Sequence, residues 1–318
     1  MKIGVLTSGG DAPGMNAAVR AVVRAGISNG HRVMGIFQGY KGLLENNMEE
    51  MTVESVANII HRGGTMLKTA RCPEFKEEEG KAQAVRNINE NNLDGLVVIG
   101  GDGTLRGAIE LAKRGINIMF LPATIDNDMG YTEYTIGFDT AVNTVVDAIA
   151  NIRETGMAHD KITVLEVMGR DCGDIAMRAG ICGGADGILI PEVEPDMDRM
   201  MYNLKCGIDR DKKNHIIVRA EGVEMTTNQL MEKIQKFTGE EPRKVILGYL
   251  QRGGSPNGLD VYISTLMGVK AIDSLEENQR NLAMGFNGAN VTVSSLEEAL
   301  ETKKHTDIGL VQTAYKLI

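Results

Sequence analysis

The sequence predicts an α/β fold with mainly parallel sheets. Short apolar runs alternate along the chain with segments of helical periodicity, which is the pattern of strand–helix–strand units. The 38 glycines fit many tight turns between strands and helices. The predicted strands are Ile3–Leu6, Arg32–Phe37, Gly95–Ile99, Ile116–Leu121, Ile162–Val167, Gly187–Ile190, Ile216–Ala220 and Val245–Leu247.

Helices are predicted between these strands. Met15–Gly26 follows a glycine turn, and Thr104–Lys113 and Thr140–Ile152 carry apolar residues once per helical turn. A domain boundary is expected near residue 138, because the turn Gly137–Asp139 precedes a new helix and a second set of strands. The segment after Ala289 is expected to complete a domain with one or two helices.

Composition excludes several classes of protein. The chain of 318 residues is 42% hydrophobic, enough for one large domain or two ordinary ones. The net charge of −9 argues against nucleic acid or an anionic membrane as the main partner, so an anionic substrate would need a local basic pocket. The four cysteines lack CxxC spacing, and no signal peptide or membrane-spanning run is recognisable. A cytoplasmic protein with reduced thiols is expected.

Two glycine-rich loops join predicted strands to predicted helices. Residues 9–14 read Gly-Gly-Asp-Ala-Pro-Gly, and residues 100–104 read Gly-Gly-Asp-Gly-Thr. Backbone N–H groups at a helix N-terminus bind phosphate, although neither loop has the GxGxxG or GxxxxGK[ST] signature, and a plain turn is the alternative for the first. An aspartate beside polyphosphate requires a cation, so Asp102 is a candidate Mg²⁺ ligand or, alternatively, a helix N-cap. Thr104 would cap the helix or contact phosphate.

Two carboxylates follow the strand Ile116–Leu121. Asp126 and Asp128 are two residues apart, a spacing that puts both on one face of an extended chain. Ligands of parallel sheets bind beyond the carboxyl ends of the strands, where the two glycine loops also lie. A general base with a second, supporting carboxylate would fit phosphoryl transfer onto a hydroxyl. The alternative is that these residues form an Asx turn.

Basic residues form two candidate anion sites. A sugar phosphate could bind Lys161, Arg170, Arg243 and Arg252, each of which could instead form a surface salt bridge. A second anion site could use Arg20 and Arg24, one helical turn apart, together with further basic residues. The alternative for the whole set is a solvated helix face and a basic loop. Those further residues are Arg153, Arg210, Lys212 and Lys213.

Taken together, these residues resemble the bacterial-type ATP-dependent 6-phosphofructokinases, from Lys2 to about residue 270. The family implies two Rossmann-like three-layer domains, residues 1–138 plus about 251–303 and 139–250 plus about 304–318, and a homotetramer. GGDGT alone is also found in NAD kinases and diacylglycerol-type lipid kinases, so the joint occurrence of the motifs carries the resemblance. The motifs are GVLTSGGDAPGMN at 4–16, VIGGDGT at 98–104, TIDND at 124–128, EVMGR at 166–170 and QRGGSP at 251–256.

The resemblance implies a reaction and roles for particular residues. The γ-phosphoryl group of ATP would be transferred to O1 of fructose 6-phosphate, the committed step of glycolysis. Asp126 would be the base, and Thr124 and Arg170 would also be catalytic. Asp102 would hold Mg²⁺ with help from Asp128. The nucleotide positions are Gly10, Tyr40, Arg71, Cys72, Gly101, Asp102, Gly103, Thr104 and Gly107.

The same resemblance places the sugar phosphate and an effector. A neighbouring subunit would contribute two of the sugar-phosphate residues, Lys161 and Arg243, and ADP or phosphoenolpyruvate would be the effector. The sugar-phosphate positions within one subunit are Thr124, Asp126, Met168, Gly169, Arg170, Glu221, Tyr249 and Arg252. The effector positions are Arg20, Arg24, Arg153, Asp186, Arg210, Lys212 and Lys213.

Several positions depart from the family pattern. Lys161 and Tyr249 stand where an arginine and a histidine are usual, which leaves open a related kinase for another sugar phosphate. Gly103 and Ala123 are small where pyrophosphate-using relatives carry Asp and Lys, so ATP is the expected donor and pyrophosphate the alternative. A non-catalytic regulator that binds nucleotide and sugar phosphate is the alternative of another class. In the effector site, Asp186 replaces a glutamate.

Overall fold

The computed structural model describes residues 1–157 and 161–316, which form two compact units. The chain passes from one unit to the other more than once, so each unit is built from separate segments. The first unit contains Met1–Ile125, Met129–Thr140 and Arg252–Lys304. The second unit contains Asp126–Asp128, Ala141–Gln251 and the C-terminal residues from His305.

The strands and helices alternate along most of the chain. The strands are β1 Lys2–Thr7, β2 Arg32–Ile36, β3 Met48–Met51, β4 Gly95–Gly100, β5 Ile118–Pro122, β6 Lys161–Val167, β7 Gly187–Leu189, β8 Asn214–Ala220, β9 Arg243–Ile246, β10 Leu282–Asn287 and β11 Asn290–Ser295. The helices are α1 Met15–Ser28, α2 Tyr40–Glu45, α3 Glu78–Glu90, α4 Asp102–Ala112, α5 Phe138–Met157, α6 Asp174–Gly183, α7 Met197–Asp209, α8 Thr227–Thr238, α9 Gly258–Glu276, α10 Leu296–Glu301 and α11 Ile308–Tyr315.

The first unit is built on one sheet with the strand order β11-β10-β5-β4-β1-β2-β3. The central strands are parallel, and only the edge pairs β2–β3 and β10–β11 are antiparallel. Every residue of β4 is buried, as expected for a parallel strand covered on both faces. Leu96, Ile99 and Phe120 are among the largest fully buried side chains of the core.

The second unit contains a smaller sheet with the order β7-β8-β6-β9, in which every described pairing is parallel. All seven residues of β8 are buried. The register of β6 and β8 places Glu166 directly beside Arg219, so two ionisable side chains are neighbours inside this sheet.

The α/β prediction with mainly parallel sheets is confirmed, and each predicted strand overlaps an observed one. The predicted helices correspond to α1, α4 and α5. The expectation for the segment after Ala289 was incomplete. It contains helices α10 and α11, but strand β11 comes first and pairs with β10 through a turn at Gly288, whose φ is +63°. In the described parts of the chain, no helix is long and apolar enough to cross a membrane.

Candidate active site

The loop after β1 leads into α1 through a strained turn in the first unit. Gly14 caps α1 with φ of +106°, and an added Cβ would lie 2.7 Å from Cγ2 of Ile136, so this turn requires glycine. Buried Asn16 fixes the neighbouring chain: its Nδ2 donates to the carbonyl of Arg62 at 2.9 Å, and its Oδ1 accepts from the N–H of Met66 at 2.7 Å. The loop is therefore a fixed element that ends at a helix N-terminus.

The loop after β4 leaves one carboxylate exposed at the start of α4. Gly101 is the N-cap, so Asp102 is the first helical residue and does not cap the helix. The Asp102 side chain is 42% exposed and accepts from Nε of Arg106 at 3.1 Å. A Cβ built on Gly103 would meet nothing within 4 Å. The loop therefore presents an accessible carboxylate beside open space.

Tyr40 stabilises this second loop and the start of α4 through its hydroxyl and its ring. Its hydroxyl donates to the carbonyl of Thr104 at 2.6 Å, and its ring stacks on Phe75 with centroids 4.2 Å apart. A Cβ at Gly107 would lie 2.7 Å from the Tyr40 ring, so α4 approaches the ring closely only because residue 107 is glycine. Burial raises the pKa of Tyr40 and keeps the hydroxyl protonated as a donor.

Two further residues that the sequence predicts to contact the nucleotide, Arg71 and Cys72, lie just before the short 3₁₀ turn that contains Phe75. Arg71 is exposed, whereas Cys72 is partly buried against the core of the first unit. Burial raises the pKa of the Cys72 thiol, which favours the neutral form. Cys72 therefore offers a small apolar surface, and Arg71 an accessible guanidinium.

Arg252 lies beside the first glycine loop. It belongs to the first unit, and a Cβ built on Gly10 would be 3.1 Å from its Nη1 atom. Gly63 packs against the same segment, because its added Cβ would be 2.2 Å from the carbonyl oxygen of Gly254. Thr124 lies near the other loop, 3.5 Å from a Cβ built on Gly101. The first unit therefore gathers Gly10, Gly101, Thr124 and Arg252 around its loops.

In the second unit, Asp126 pairs with Arg170. The Asp126 side chain is only 2% exposed, and its Oδ2 lies 3.1 Å from Nε of Arg170. The same guanidinium reaches Asp128 more loosely, with Nη1 3.8 Å from Oδ2. Between the two carboxylates, Asn127 adopts φ of +52° and its Nδ2 donates to Asp174 at 2.8 Å. The predicted carboxylate pair thus shares one cationic partner.

Residues 168–170 are held by side chains of other segments. The N–H of Met168 donates to Oε1 of Gln251 at 3.1 Å, and the N–H of Arg170 donates to Oε1 of Glu221 at 3.0 Å. Gly169 has φ of +135°, and its added Cβ would be 2.3 Å from the carbonyl oxygen of Cys172, so only glycine fits. The structure therefore brings together Asp126, Arg170 and Glu221 of the predicted set.

Arg219, which contacts the loop that follows Glu221, is a site residue that no sequence motif indicated. The side chain is almost fully buried; its Nη1 is 3.1 Å from Oε2 of Glu166, and its Nε and Nη2 donate to the carbonyls of Met225 and Val223 at 2.8 and 2.7 Å. Burial lowers the pKa of Arg219, against the opposing effect of Glu166. A charged residue inside the apolar run Ile216–Ala220 was the available signal, since buried charges need partners.

Other predicted sugar-phosphate residues lie elsewhere in the second unit. Arg243 is the exposed first residue of β9, and Tyr249 is 79% exposed. Lys161 begins β6, but its side chain lies outside the described residues. Arg243 and Tyr249 therefore lie at the surface of this unit, whereas the Asp126 carboxylate is buried.

The effector candidates are divided between the units. Arg20 and Arg24 lie on α1 of the first unit, and burial together with the charge of Arg24 lowers the pKa of Arg20. In the second unit, Nη2 of Arg153 donates to the carbonyls of Gly183 and Gly184 at 2.7 and 2.8 Å. Two like charges close together on α1 are an arrangement that an anion would stabilise.

Asp186 is a buried carboxylate held by several donors of the second unit. It pairs with Lys212 and accepts from the N–H of Ile216 at 2.9 Å. Burial alone would raise the pKa of Asp186, but hydrogen bonds from His215, Lys212 and the backbone outweigh it and lower the pKa. Lys213 pairs with Asp211 at 2.5 Å, and Nε of Arg210 donates to the carbonyl of Cys206 at 3.0 Å.

A metal would have few protein ligands here. Residues 1–157 and 161–316 contain no group of three or more His, Cys, Asp and Glu side chains that could hold a metal ion. Mg²⁺ is commonly bound by one or two carboxylates together with substrate phosphates and water. The exposed carboxylate of Asp102, at the start of a helix with open space beside it, fits that mode of binding.

The fold and the motif-bearing loops define an α/β protein with glycine-rich loops at helix N-termini and a buried carboxylate, Asp126, paired with an exposed guanidinium. The family model for phosphofructokinase matches residues 2–275, and the chain belongs to this family. It is 51% identical over 305 residues to the ATP-dependent 6-phosphofructokinase of Alkaliphilus metalliredigens, covering 96% of this chain and 95% of that protein. The protein of the same name from Clostridium botulinum is 47% identical over 312 residues, with 98% of both chains covered.

Solved structures agree on the fold. Phosphofructokinase from Saccharomyces cerevisiae is 34% identical with a TM-score of 0.90, over 99% of this chain and 47% of that one, so this chain spans about half of the yeast protein. A pyrophosphate-dependent phosphofructokinase from Marinobacter aquaeolei has a TM-score of 0.85 over 99% of this chain and 92% of that one. At 19% identity, this second likeness shows the fold alone.

Proposed function

We infer that this protein is an ATP-dependent 6-phosphofructokinase, which transfers the γ-phosphoryl group of ATP to O1 of fructose 6-phosphate. The observation that carries this inference is the identity of 51% to a relative of that name, over nearly the full length of both chains. The geometry supports it, because the buried carboxylate of Asp126 and the accessible guanidinium of Arg170 supply a base and a positive charge in one place.

The first unit would bind the phosphoryl donor. Its glycine loops end at helix N-termini, where backbone N–H groups stabilise phosphate oxygens. The open space at Gly103 would accommodate the part of a nucleotide that pyrophosphate lacks. Asp102 would hold Mg²⁺, with Asp128 assisting. When bound, Mg²⁺ would neutralise negative charge on the phosphates.

The second unit would supply the base. Asp126 would accept the proton of the O1 hydroxyl as O1 attacks the γ-phosphorus, while the bond from that phosphorus to the β–γ bridging oxygen breaks and ADP leaves. Arg170 would orient Asp126 and stabilise negative charge on the transferring group. Thr124, which follows β5, would contribute to the same step. General-base catalysis of this kind contributes roughly 10²–10⁴-fold to the rate.

The sugar phosphate would be recognised by one set of residues that contact the sugar and another set that contact its phosphate. Met168, Gly169 and Glu221 would contact the sugar, and Tyr249 and Arg252 would contact its phosphate. Lys161 and Arg243 would reach in from a neighbouring subunit of a homotetramer. Because such a site is shared between subunits, substrate affinity would depend on quaternary arrangement, which is a physical route to cooperativity.

The basic residues of the second anion site would bind ADP or phosphoenolpyruvate as an effector. The adjacent charges of Arg20 and Arg24, and the ordered groups around Asp186, support this proposal. A fructose 6-phosphate saturation curve at low substrate should shift when either ligand is added. A curve indifferent to both ligands would remove the effector role.

The deciding experiment is a coupled assay for fructose 1,6-bisphosphate, with Mg²⁺ and fructose 6-phosphate, run with ATP and separately with pyrophosphate. Turnover with ATP is the expected result. Turnover only with pyrophosphate would overturn the argument from Gly103 and Ala123. Activity with a different sugar phosphate alone would indicate a related kinase, and no turnover with any pair would favour a binding-only regulator.

A further inference from the structure

A buried guanidinium holds the loop that carries Glu221. We propose that Arg219 is a positioning residue for fructose 6-phosphate binding: it clamps residues 221–225 and thereby sets the orientation of the Glu221 carboxylate. This inference rests on the proposed function, because it takes Glu221 as a sugar contact. Arg219 itself does not need to touch the substrate.

The clamp is built from strand register and hydrogen bonds. Glu166 and Arg219 are paired positions on the parallel strands β6 and β8, and their side chains meet at 3.1 Å. The remaining donors of Arg219 reach the loop: Nε donates to the carbonyl of Met225 at 2.8 Å, and Nη2 to that of Val223 at 2.7 Å. Thr227, at the start of α8, also donates to Oε2 of Glu166. Nη2 also donates to the carbonyl of Glu221 at 3.4 Å, so one guanidinium ties both ends of a short loop to the sheet.

On its outer side, the loop faces a cavity. Val223, Glu224 and Met225 line a cavity of about 560 Å³, together with residues of α8 and the segment after β7. A loop beside such a cavity can move into it when its inner hydrogen bonds are lost, because close packing does not oppose the movement. The N–H of Glu221 donates to the carbonyl of Val167 at 2.8 Å, so the hydrogen bonds of Arg219 restrain mainly residues 223–225, on the cavity side of Glu221.

The position of Glu221 has a second consequence in the site. Its Oε1 accepts from the backbone N–H of Arg170, the residue whose guanidinium meets Asp126. Displacement of the loop would remove that acceptor and change the sugar contact together. Because binding and alignment of the sugar depend on small distances, a shift of this loop should weaken fructose 6-phosphate binding more than it weakens ATP binding.

The test uses Arg219→Met, which keeps an unbranched apolar side chain but removes every donor, and Arg219→Lys, which keeps the charge and a single donor group. The matched control is Arg32→Met, which makes the same change at the exposed pair of Arg32 and Glu50 in the first unit. Arg219→Met should raise the KM for fructose 6-phosphate roughly tenfold, with kcat and the KM for ATP changed less than about threefold. Arg219→Lys should recover part of the loss, and Arg32→Met should change nothing.

A double-mutant cycle separates positioning from general damage. If Arg219 acts through Glu221, Arg219→Met should have little further effect on the KM for fructose 6-phosphate in a Glu221→Gln background. Multiplying effects, or a lower kcat with an unchanged KM, would overturn the proposal and indicate a merely structural role.

Amide hydrogen exchange supplies a readout that needs no substrate. In the full-length protein without ligands, Arg219→Met should speed exchange in residues 221–225 while residues of β4 keep wild-type protection. Unchanged exchange in the loop would overturn the clamp even if the enzyme were inactive towards fructose 6-phosphate. Absence of wild-type turnover would instead refute the proposed function and leave the exchange result to decide the clamp.

Discussion

Oδ2 of Asp126 lies 3.1 Å from Nε of Arg170, and the backbone N–H of Arg170 donates to Glu221. A buried carboxylate, a guanidinium and a second carboxylate are therefore connected through one residue. Arg170 adopts φ of +51°, an uncommon conformation for a long side chain, and Gly169 before it has φ of +135°. Such backbone conformations persist where surrounding contacts hold them, which is the situation expected around a reacting group.

Gly103→Asp should reduce use of ATP. An added side chain would enter the open space at the start of α4 and bring a second negative charge beside Asp102. We expect kcat/KM for ATP to fall about 100-fold, a loss of about 2.7 kcal/mol, with the protein still folded by circular dichroism. Gly258→Asp, at another glycine with open space, is the control. Wild-type kinetics with ATP in Gly103→Asp would contradict the donor assignment.

Asp102→Asn should raise the Mg²⁺ requirement. The neutral amide keeps the shape of the carboxylate but loses its charge, so the concentration of Mg²⁺ at half-maximal rate should increase about tenfold or more. Arg106→Gln is the matched control, because it breaks the 3.1 Å pair with Asp102 and leaves the carboxylate in place. The measurement is a Mg²⁺ titration of rate at fixed ATP. Equal titration curves for Asp102→Asn and wild type would exclude Asp102 as the metal residue.

Asp260 predicts a dependence of stability on pH. Its carboxylate accepts from the N–H groups of Gly137 and Thr140 and from the Thr140 hydroxyl, and burial raises its pKa to about 6. Because the folded-state pKa exceeds the unfolded value, the stability contributed by the protonated form is complete below about pH 4 and is lost as pH rises through about 6. A shift of about two units corresponds to about 3 kcal/mol.

The variant Asp260→Asn tests that dependence, since the amide cannot titrate in this range. Thermal unfolding followed at several pH values should show wild type losing stability, relative to the variant, between pH 4 and 6. At pH 4 the variant should be less stable than wild type by about 1–3 kcal/mol, because its amide offers fewer acceptor sites to the three donors, and this difference should vanish or reverse by pH 6. Parallel pH profiles for the two proteins would refute the assignment of this dependence to Asp260.

Lys161→Arg should change the saturation curve for fructose 6-phosphate. A guanidinium presents two parallel donors to a phosphate, whereas an ammonium acts as a single point charge. We expect the half-saturating concentration to fall about threefold or the Hill coefficient to change, measured at saturating ATP. Lys244→Arg on β9, where Nζ meets Asn228 at 3.0 Å, is the control. Superimposable curves for Lys161→Arg and wild type would contradict the proposed role.

The central strands of the fold could be predicted because both of their faces are buried, which produces continuous apolar runs such as Leu96–Ile99. Edge strands gave no such signal. Strand β3 reads Met-Glu-Glu-Met with both glutamates exposed, and β11 contains exposed and half-buried residues but no buried one. These segments are strands because they hydrogen-bond to a neighbouring strand, and not because they are buried. Local sequence does not predict such pairing.

The site could be predicted where a motif fixes the backbone, as at Gly101–Thr104 and Asp126–Asp128. Contacts between segments that are distant in the sequence could not be predicted. In the sequence, Arg219 is a single charged residue within an apolar run. Its proposed role follows only from the strand register that places it beside Glu166. Likewise, sequence gave no reason to expect Arg252 beside Gly10, because about 240 residues of chain separate them.

The measurement that tests the account most directly is ³¹P NMR of fructose 6-phosphate, ATP and Mg²⁺ incubated with wild type, Asp126→Asn and the control Asp171→Asn, which alters an exposed aspartate next to Arg170. Wild type and Asp171→Asn should form ADP and a new phosphomonoester on O1 at equal rates, with Asp126→Asn slower by roughly 10²–10⁴-fold. Product formed by Asp126→Asn at the wild-type rate, or inorganic phosphate in place of the new ester, would contradict the assignment of Asp126 as the base for transfer to the sugar.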